Sequence, residues 1–152
     1  MKKVGLLMGS ASDKPVISSA LEYFEYFGIP VEMKIMSAHR NPEAVQAFAK
    51  SAEKNGFGAI VACAGMAAHL AGVIAAYTTL PVIGVPLAGS ALNGVDALYS
   101  IVQMPAGVPV ACMAIGKAGA RNAAVFVAEI FGLSDEKIAD KLLRFKKNGC
   151  KL

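Results

Sequence analysis

The chain has 152 residues, a formal net charge of +4, 55% hydrophobic residues and only 17% charged ones. That length suits one domain with a full core, expected to span residues 1–152. The excess is small, and Lys141, Arg144, Lys146, Lys147 and Lys151 read as a solvated helix face, which speaks against a nucleic-acid partner.

Met1-Lys2-Lys3 runs straight into a first strand pattern, Lys3–Met8, so no secretory leader is expected. Gly9–Asp13 reads as a loop and Lys14–Phe27 as a helix, with Val16/Ile17, Ala20/Leu21, Phe24 and Phe27 at helical spacing and Gly28 as the stop. A second strand runs from Val31 to Met36. Ser37-Ala38-His39-Arg40 follows, and Asn41-Pro42-Glu43 opens a helix to about Lys54, with Asn41 at the cap and proline at the first helical position. Gly58–Cys63 is a third strand. The small-residue stretch Ala64-Gly65-Met66-Ala67-Ala68-His69-Leu70 leads into a helix to about Tyr77. Pro81–Val85 is a fourth strand, Pro86–Gly94 a loop, and a short helix runs to about Ile101. Val108–Ile115 is a fifth strand, Gly116–Ala120 a turn, and Asn122–Phe131 a helix. Ser134 is expected to cap a last helix over about 134–147, acidic at its start and basic at its end, the order the helix dipole favours.

Phe57 to Val95 contains no Asp, Glu, Lys or Arg, which raises the question of a membrane span. The stretch is broken by Gly65, His69, Gly72, Pro81, Gly84, Pro86 and Gly89 into strand-sized and short-helix-sized pieces. Uninterrupted apolar strands are what a parallel sheet covered on both faces requires. The expectation is therefore a soluble chain with no membrane partner. Cys63, Cys112 and Cys150 are odd in number and widely spaced; Cys63 and Cys112 read as small hydrophobes in strands, in a reducing cytoplasmic setting.

Strands alternating with helices imply right-handed βαβ units, hence an α/β fold in three layers. A flavodoxin-like parallel sheet of order 2-1-3-4-5, with helices on both faces, is the expected architecture. Every loop that follows a strand then lies on one edge, and the ligand crevice falls where the order reverses, between strands 1 and 3. The loops Gly9–Asp13, Ser37–Arg40 and Ala64–Leu70 are thereby predicted to converge.

Gly9 allows close backbone approach, and Ser10, Ser12 and the following helix start supply O–H and N–H donors for a phosphate. Asp13 is either a cap or an acceptor for a sugar hydroxyl. His39 beside Arg40, before a helix N-terminus, joins a residue suited to proton transfer near neutrality with a place suited to an anion. His69, among alanines and glycines, reads as a packed core or interface histidine, and Gly116-Lys117-Ala118-Gly119 as a plain turn or an anion nest. There is no Gly-x-Ser-x-Gly elbow, no His-x-x-x-His pair and no Cys-x-x-Cys. The inventory suits proton transfer on a phosphorylated small molecule, with no metal or redox cofactor expected.

At these residues the chain resembles the catalytic-subunit family of phosphoribosylaminoimidazole carboxylase (the PurE family, class I), of the type called N5-carboxyaminoimidazole ribonucleotide mutase. The blocks that carry the resemblance are Met8-Gly-Ser-x-Ser-Asp13, Ser37-Ala-His-Arg-Asn-Pro42, Ala67-Ala-His-Leu70, Pro81-Val-Ile-Gly-Val-Pro86, Ser100-Ile-Val-Gln-Met-Pro105 and Asn122-Ala-Ala124. The resemblance implies an enzyme of de novo purine synthesis that moves a carboxylate from the exocyclic nitrogen of an aminoimidazole ribonucleotide to ring carbon 4. It implies decarboxylation and recarboxylation in a closed site, with no metal or organic cofactor, in a homo-octamer, downstream of the ATP-dependent synthetase that makes the N-carboxylated substrate. By the same resemblance His39 is the general acid/base, and Gly9, Ser10, Ser12 and Asp13 hold the ribose phosphate end, with Arg40 on the phosphate. Ser37, Ala38 and Leu70 join the substrate-binding set, backbone groups of Ala64, Gly65, Met66 and Ala67 line the carboxylate and CO2, and His69 is a possible auxiliary. The chain departs from the family pattern at Met66, where Gly is common, at Ala71, where Pro is common, and in a C-terminal helix shorter than in many relatives.

Two other readings compete. A second type of the family takes aminoimidazole ribonucleotide and free CO2; it usually has Lys at the position of Arg40 and Ser-Asn in place of Ala68-His69. A non-catalytic flavodoxin-like nucleotide-binding module is the other. A phosphoacceptor domain needs clustered acids after the first strand, where Met8-Gly9-Ser10 has none, and a flavin carrier usually stacks aromatics that these loops lack.

Overall fold

Apolar β-branched and small residues, uninterrupted by charge, build the central strands of a five-stranded parallel sheet ordered β2-β1-β3-β4-β5. The computed structural model describes residues 2–152. The strands are β1 (Lys3–Met8), β2 (Val31–Ile35), β3 (Phe57–Gly65), β4 (Val82–Leu87) and β5 (Ala111–Cys112). The helices are α1 (Lys14–Ile17), α2 (Leu21–Phe27), α3 (Pro42–Ser51), α4 (Leu70–Ala75), α5 (Val95–Val102), α6 (Lys117–Gly132) and α7 (Glu136–Lys147). The sheet order and the flavodoxin-like architecture are those expected.

Alternate residues of the central strands feed two apolar layers, one on each face. Leu6, Met8, Val61, Cys63 and Val85 pack under α1, α2, α6 and α7 with Phe24, Phe27, Val127 and Phe145. Leu7, Ile60, Ala62 and Ala64 pack under α3, α4 and α5 with Phe48, Leu70, Ile74 and Ile101. Leu6, Leu7, Ile60 and Ile83 are completely buried, each contributing about 1.5–3 kcal/mol of transfer free energy before its entropy cost. No helix among the described residues is long and apolar enough to cross a membrane.

Several boundaries differ from expectation, each for a local reason. The helix read over Lys14–Phe27 is interrupted by a 3-10 turn at Ser18–Ala20, where the Ser19 hydroxyl donates to Val16 O at 2.6 Å and competes with the helical ladder. The fifth strand is two residues long rather than eight. Pro109 has no N–H, and beyond Cys112 pairing continues only as single bonds, Met113 N–H to Gly84 O at 2.9 Å and Gly116 N–H to Pro86 O at 2.9 Å. The turn expected at Gly116–Ala120 is mostly helix, because α6 begins at Lys117. The last helix is capped by Asp135 rather than Ser134: its carboxylate accepts from the N–H groups of Lys137 and Ile138. Asn41 keeps the cap position of α3, but its side chain makes no cap hydrogen bond.

At the β2 edge, Glu32 accepts from Lys3 and pairs with Lys34, both at 2.6 Å, which holds its carboxyl down at about 2. Both ion pairs are part-exposed and contribute little to stability. Only the Lys3 pair joins the two strands; it ties β2 to the start of β1, at the end of the sheet away from the loops that carry the site.

Candidate active site

The ends of β1, β2 and β3 are locked to one another past their last paired residues. Gly9 N–H donates to Cys63 O at 3.3 Å and Met36 N–H to Met8 O at 2.9 Å. The three loops therefore leave the same sheet edge from fixed positions and enclose a cleft of about 460 Å³. Gly9, Ser10, Ser12 and Asp13 line it from the first loop, and Ser37, Ala38, His39 and Arg40 from the second. The third contributes Ala64, Gly65, Met66, Ala67, His69 and Leu70. The candidate site residues of the three loops thus share one cleft, and the Gly116–Gly119 segment does not line it.

The first loop is held by its own hydrogen bonds. Ser10 caps the short 3-10 turn Ala11–Asp13; its Oγ accepts from Ser12 N–H at 3.3 Å and from the Ser12 hydroxyl at 2.9 Å. Asp13 closes the box by accepting Ser10 N–H at 3.2 Å, so its first duty is that of a cap. Burial pushes the Asp13 carboxyl up from its usual range, and the Ser10 N–H pulls the other way. A Cβ built on Gly9 meets nothing within 4 Å, which leaves backbone open to a ligand.

In the second loop Asn41 N–H donates to Ser37 O at 2.8 Å and Arg40 N–H to Ser37 Oγ at 3.2 Å, winding one turn that presents His39 and Arg40 outward. Both are exposed, and Arg40 makes no ion pair among the described residues. A guanidinium left unpaired at the rim of a polar cleft is well placed for a phosphate.

The third loop corrects the reading of His69. It is exposed rather than packed in the core, and its Nδ1 lies 2.8 Å from Nε2 of His39, the rings meeting edge to face with centroids 4.9 Å apart. That distance is a hydrogen bond, in which one ring nitrogen donates and the other accepts according to the tautomers. His69 is placed by its backbone, as N-cap of α4: its N–H donates to Ala67 O and its carbonyl accepts from Val73 N–H. Met66 has φ of +57°, left-handed backbone for a residue with a long side chain. Below the floor, complete burial pushes the Cys63 thiol far up and keeps it protonated, so it has no nucleophilic part.

Three further residues line the cleft that the sequence reading did not single out: Leu87, Ala88 and Gly89, at the end of β4. The rule that gathers the other three loops on one edge applies equally to β4, the neighbour of β3, and would have found them. No group of three or more His, Cys, Asp or Glu side chains among the described residues is arranged to hold a metal ion.

Comparison with known families decides the kinship. Residues 3–151 match the family described as AIR carboxylase. The chain belongs to the AIR carboxylase family. Within it, the chain is 50% identical over 145 residues to the N5-carboxyaminoimidazole ribonucleotide mutase of Escherichia coli, covering 95% of this chain and 86% of that protein. It is 52% identical over 145 residues to the protein of the same name from Pyrococcus horikoshii, covering 95% of this chain and 81% of the other. Among solved structures, the crystal structure of Treponema denticola PurE superposes with a TM-score of 0.86 at 29% identity, covering 97% of this chain and 90% of that one. The AIR carboxylase family thus accounts for the sheet, the helices and nearly the whole length.

Proposed function

We propose that the chain is an N5-carboxyaminoimidazole ribonucleotide mutase of de novo purine synthesis, its 152 residues forming one catalytic domain. The observation that carries the reading is the cleft, where a hydrogen-bonded histidine pair faces anion-suited loops in a chain half identical to mutases of that name. Arg40 and Ala68-His69 also stand where the CO2-dependent type of the family usually has Lys and Ser-Asn.

The chemistry follows from that arrangement. Ser10, Ser12 and the open backbone at Gly9 hold the ribose phosphate end, with Arg40 on the phosphate and Asp13 fixing the loop. Ser37, Ala38 and Leu70 shape the site around the ring, and backbone groups of Ala64–Ala67 receive the carboxylate. The bond from nitrogen to the carboxyl carbon breaks, its electrons stay on nitrogen, and His39 supplies the proton that nitrogen takes. Ring carbon 4 then attacks the retained CO2, and the proton it loses returns to His39. The proton count closes with one histidine serving both steps, and His69 acts as its hydrogen-bond partner through the cycle. No metal or organic cofactor has a part in this scheme.

The substrate comes from an ATP-dependent synthetase that carboxylates the exocyclic nitrogen, and the setting is cytoplasmic. The assembly is a homo-octamer, which the exposed apolar residues Leu92, Val95, Tyr99 and Val102 support. The experiment is a comparison of two substrates under one set of conditions. Conversion of N5-carboxyaminoimidazole ribonucleotide, with little from aminoimidazole ribonucleotide and bicarbonate, is the expected result. Turnover of the second pair alone, at high CO2, would place the chain with the carboxylases, and no turnover of either would leave a binding module.

A further inference from the structure

Met66 is the only residue of Ala64–Ala67 with a side chain longer than a methyl group, and it occupies the backbone state least suited to one. Left-handed φ is disfavoured for L-residues and is ordinarily given to glycine. Gly65, immediately before it, does not take a positive φ. The chain thus places its one bulky residue of this segment in the strained conformation although a glycine stands beside it. Glycine is common here in the family the chain resembles, so the left-handed backbone belongs to the loop, and this chain sets a long side chain on it at the cleft.

The side chain is not kept for the core. Met66 is 62% exposed in the single chain and lines the cleft. Of the other residues lining the cleft, Ala64, Gly65, Ala67, Ala88 and Gly89 offer no side chain longer than methyl, and Leu70 and Leu87 are buried. Methionine is unbranched, with three rotatable bonds, so it can lie over whatever occupies the space beside it.

We propose that Met66 is a mobile apolar flap over the carboxyl end of the cleft, which retains CO2 and excludes water between decarboxylation and recarboxylation. The inference rests on the mutase reading. After the bond from nitrogen to carbon breaks, CO2 has two fates: capture by ring carbon 4, with that carbon's proton passing to His39, or escape. Escape leaves aminoimidazole ribonucleotide, and the lost CO2 is hydrated to bicarbonate in solvent. The flap acts on this partition and on neither chemical step.

The test measures the ratio of aminoimidazole ribonucleotide released to ring-carboxylated product formed, corrected for enzyme-free decay, in the full chain and in Met66→Gly, Met66→Ala and Met66→Leu. Met66→Gly and Met66→Ala are expected to raise the ratio on the order of tenfold, and Met66→Leu, which keeps the apolar bulk, to hold it within about twofold. A purely structural role would change the stability of Met66→Gly and leave the ratio alone. An active wild-type chain whose glycine and alanine variants keep the wild-type ratio overturns this inference only. A wild-type chain that forms no ring-carboxylated product overturns the mutase reading and this inference with it.

Discussion

His39 and His69 are the only histidines in the chain, and they meet at 2.8 Å across thirty residues of sequence. In the proposed mechanism His39 carries both proton transfers and His69 is its hydrogen-bond partner, so the two side chains would carry unequal parts of one task. His39→Asn is expected to lower kcat by about 10²–10⁴-fold while the fold and ligand binding persist, and His69→Asn by about tenfold, both read by steady-state kinetics beside calorimetric ligand binding. Near-normal turnover in His39→Asn would remove it from its role. His39 was legible because a strand end, a polar turn and a proline-started helix surround it. His69 was legible in part: its loop was expected at the same crevice and the family resemblance made it a possible auxiliary, but its alanine-rich neighbours resemble core and hid the contact between the two rings. Met66 stands out in the sequence as a departure from the family pattern, but its left-handed backbone does not, because Gly65 beside it is the residue type that conformation ordinarily takes.

Glycines separate what holds an element from what serves a ligand. In α6 a Cβ on Gly119 would sit 1.7 Å from Ala114 O, a backbone atom, so the helix start lies directly on the chain leaving β5. On Gly9 the same atom would meet nothing. Gly119→Ala is therefore expected to destabilise by about 3 kcal/mol or more, lowering Tm by roughly 10 °C in thermal unfolding. Gly9→Ala is expected to unfold at the wild-type temperature and to lose nucleotide affinity instead, because its methyl group would point into the ligand's space. The reverse pattern would mean that the first loop is structural and the α6 start is not. This contrast also explains which elements were readable. Central strands and amphipathic helices declare themselves by period, as Ile138, Leu142 and Phe145 do along α7. The start of α6 did not, because Gly116 and Gly119 are turn residues by composition and only close packing makes one of them helical. Pro109 argues for a short β5, and the apolar run Val108–Ile115 argues against it.

At the scale of the molecule, the parallel order fixes the edge on which every ligand-facing loop falls, and that much was available from strand and helix alternation alone. The outer face was not available in the same way. Leu92, Val95, Tyr99 and Val102 follow helical spacing along and just before α5 and stay 43–65% exposed in the single chain. Burying such a stripe favours association. Light scattering is expected to give a mass near eight times the 15.7 kDa chain, and a monomer mass would contradict the assembly. In the proposed mechanism the carboxyl carbon moves within the cleft rather than being taken from solution. The decisive measurement supplies N5-carboxyaminoimidazole ribonucleotide labelled in its carboxylate, in excess unlabelled bicarbonate, and follows the label. Most of the label is expected on ring carbon 4 of the product. Product carrying only unlabelled carboxylate would contradict that mechanism.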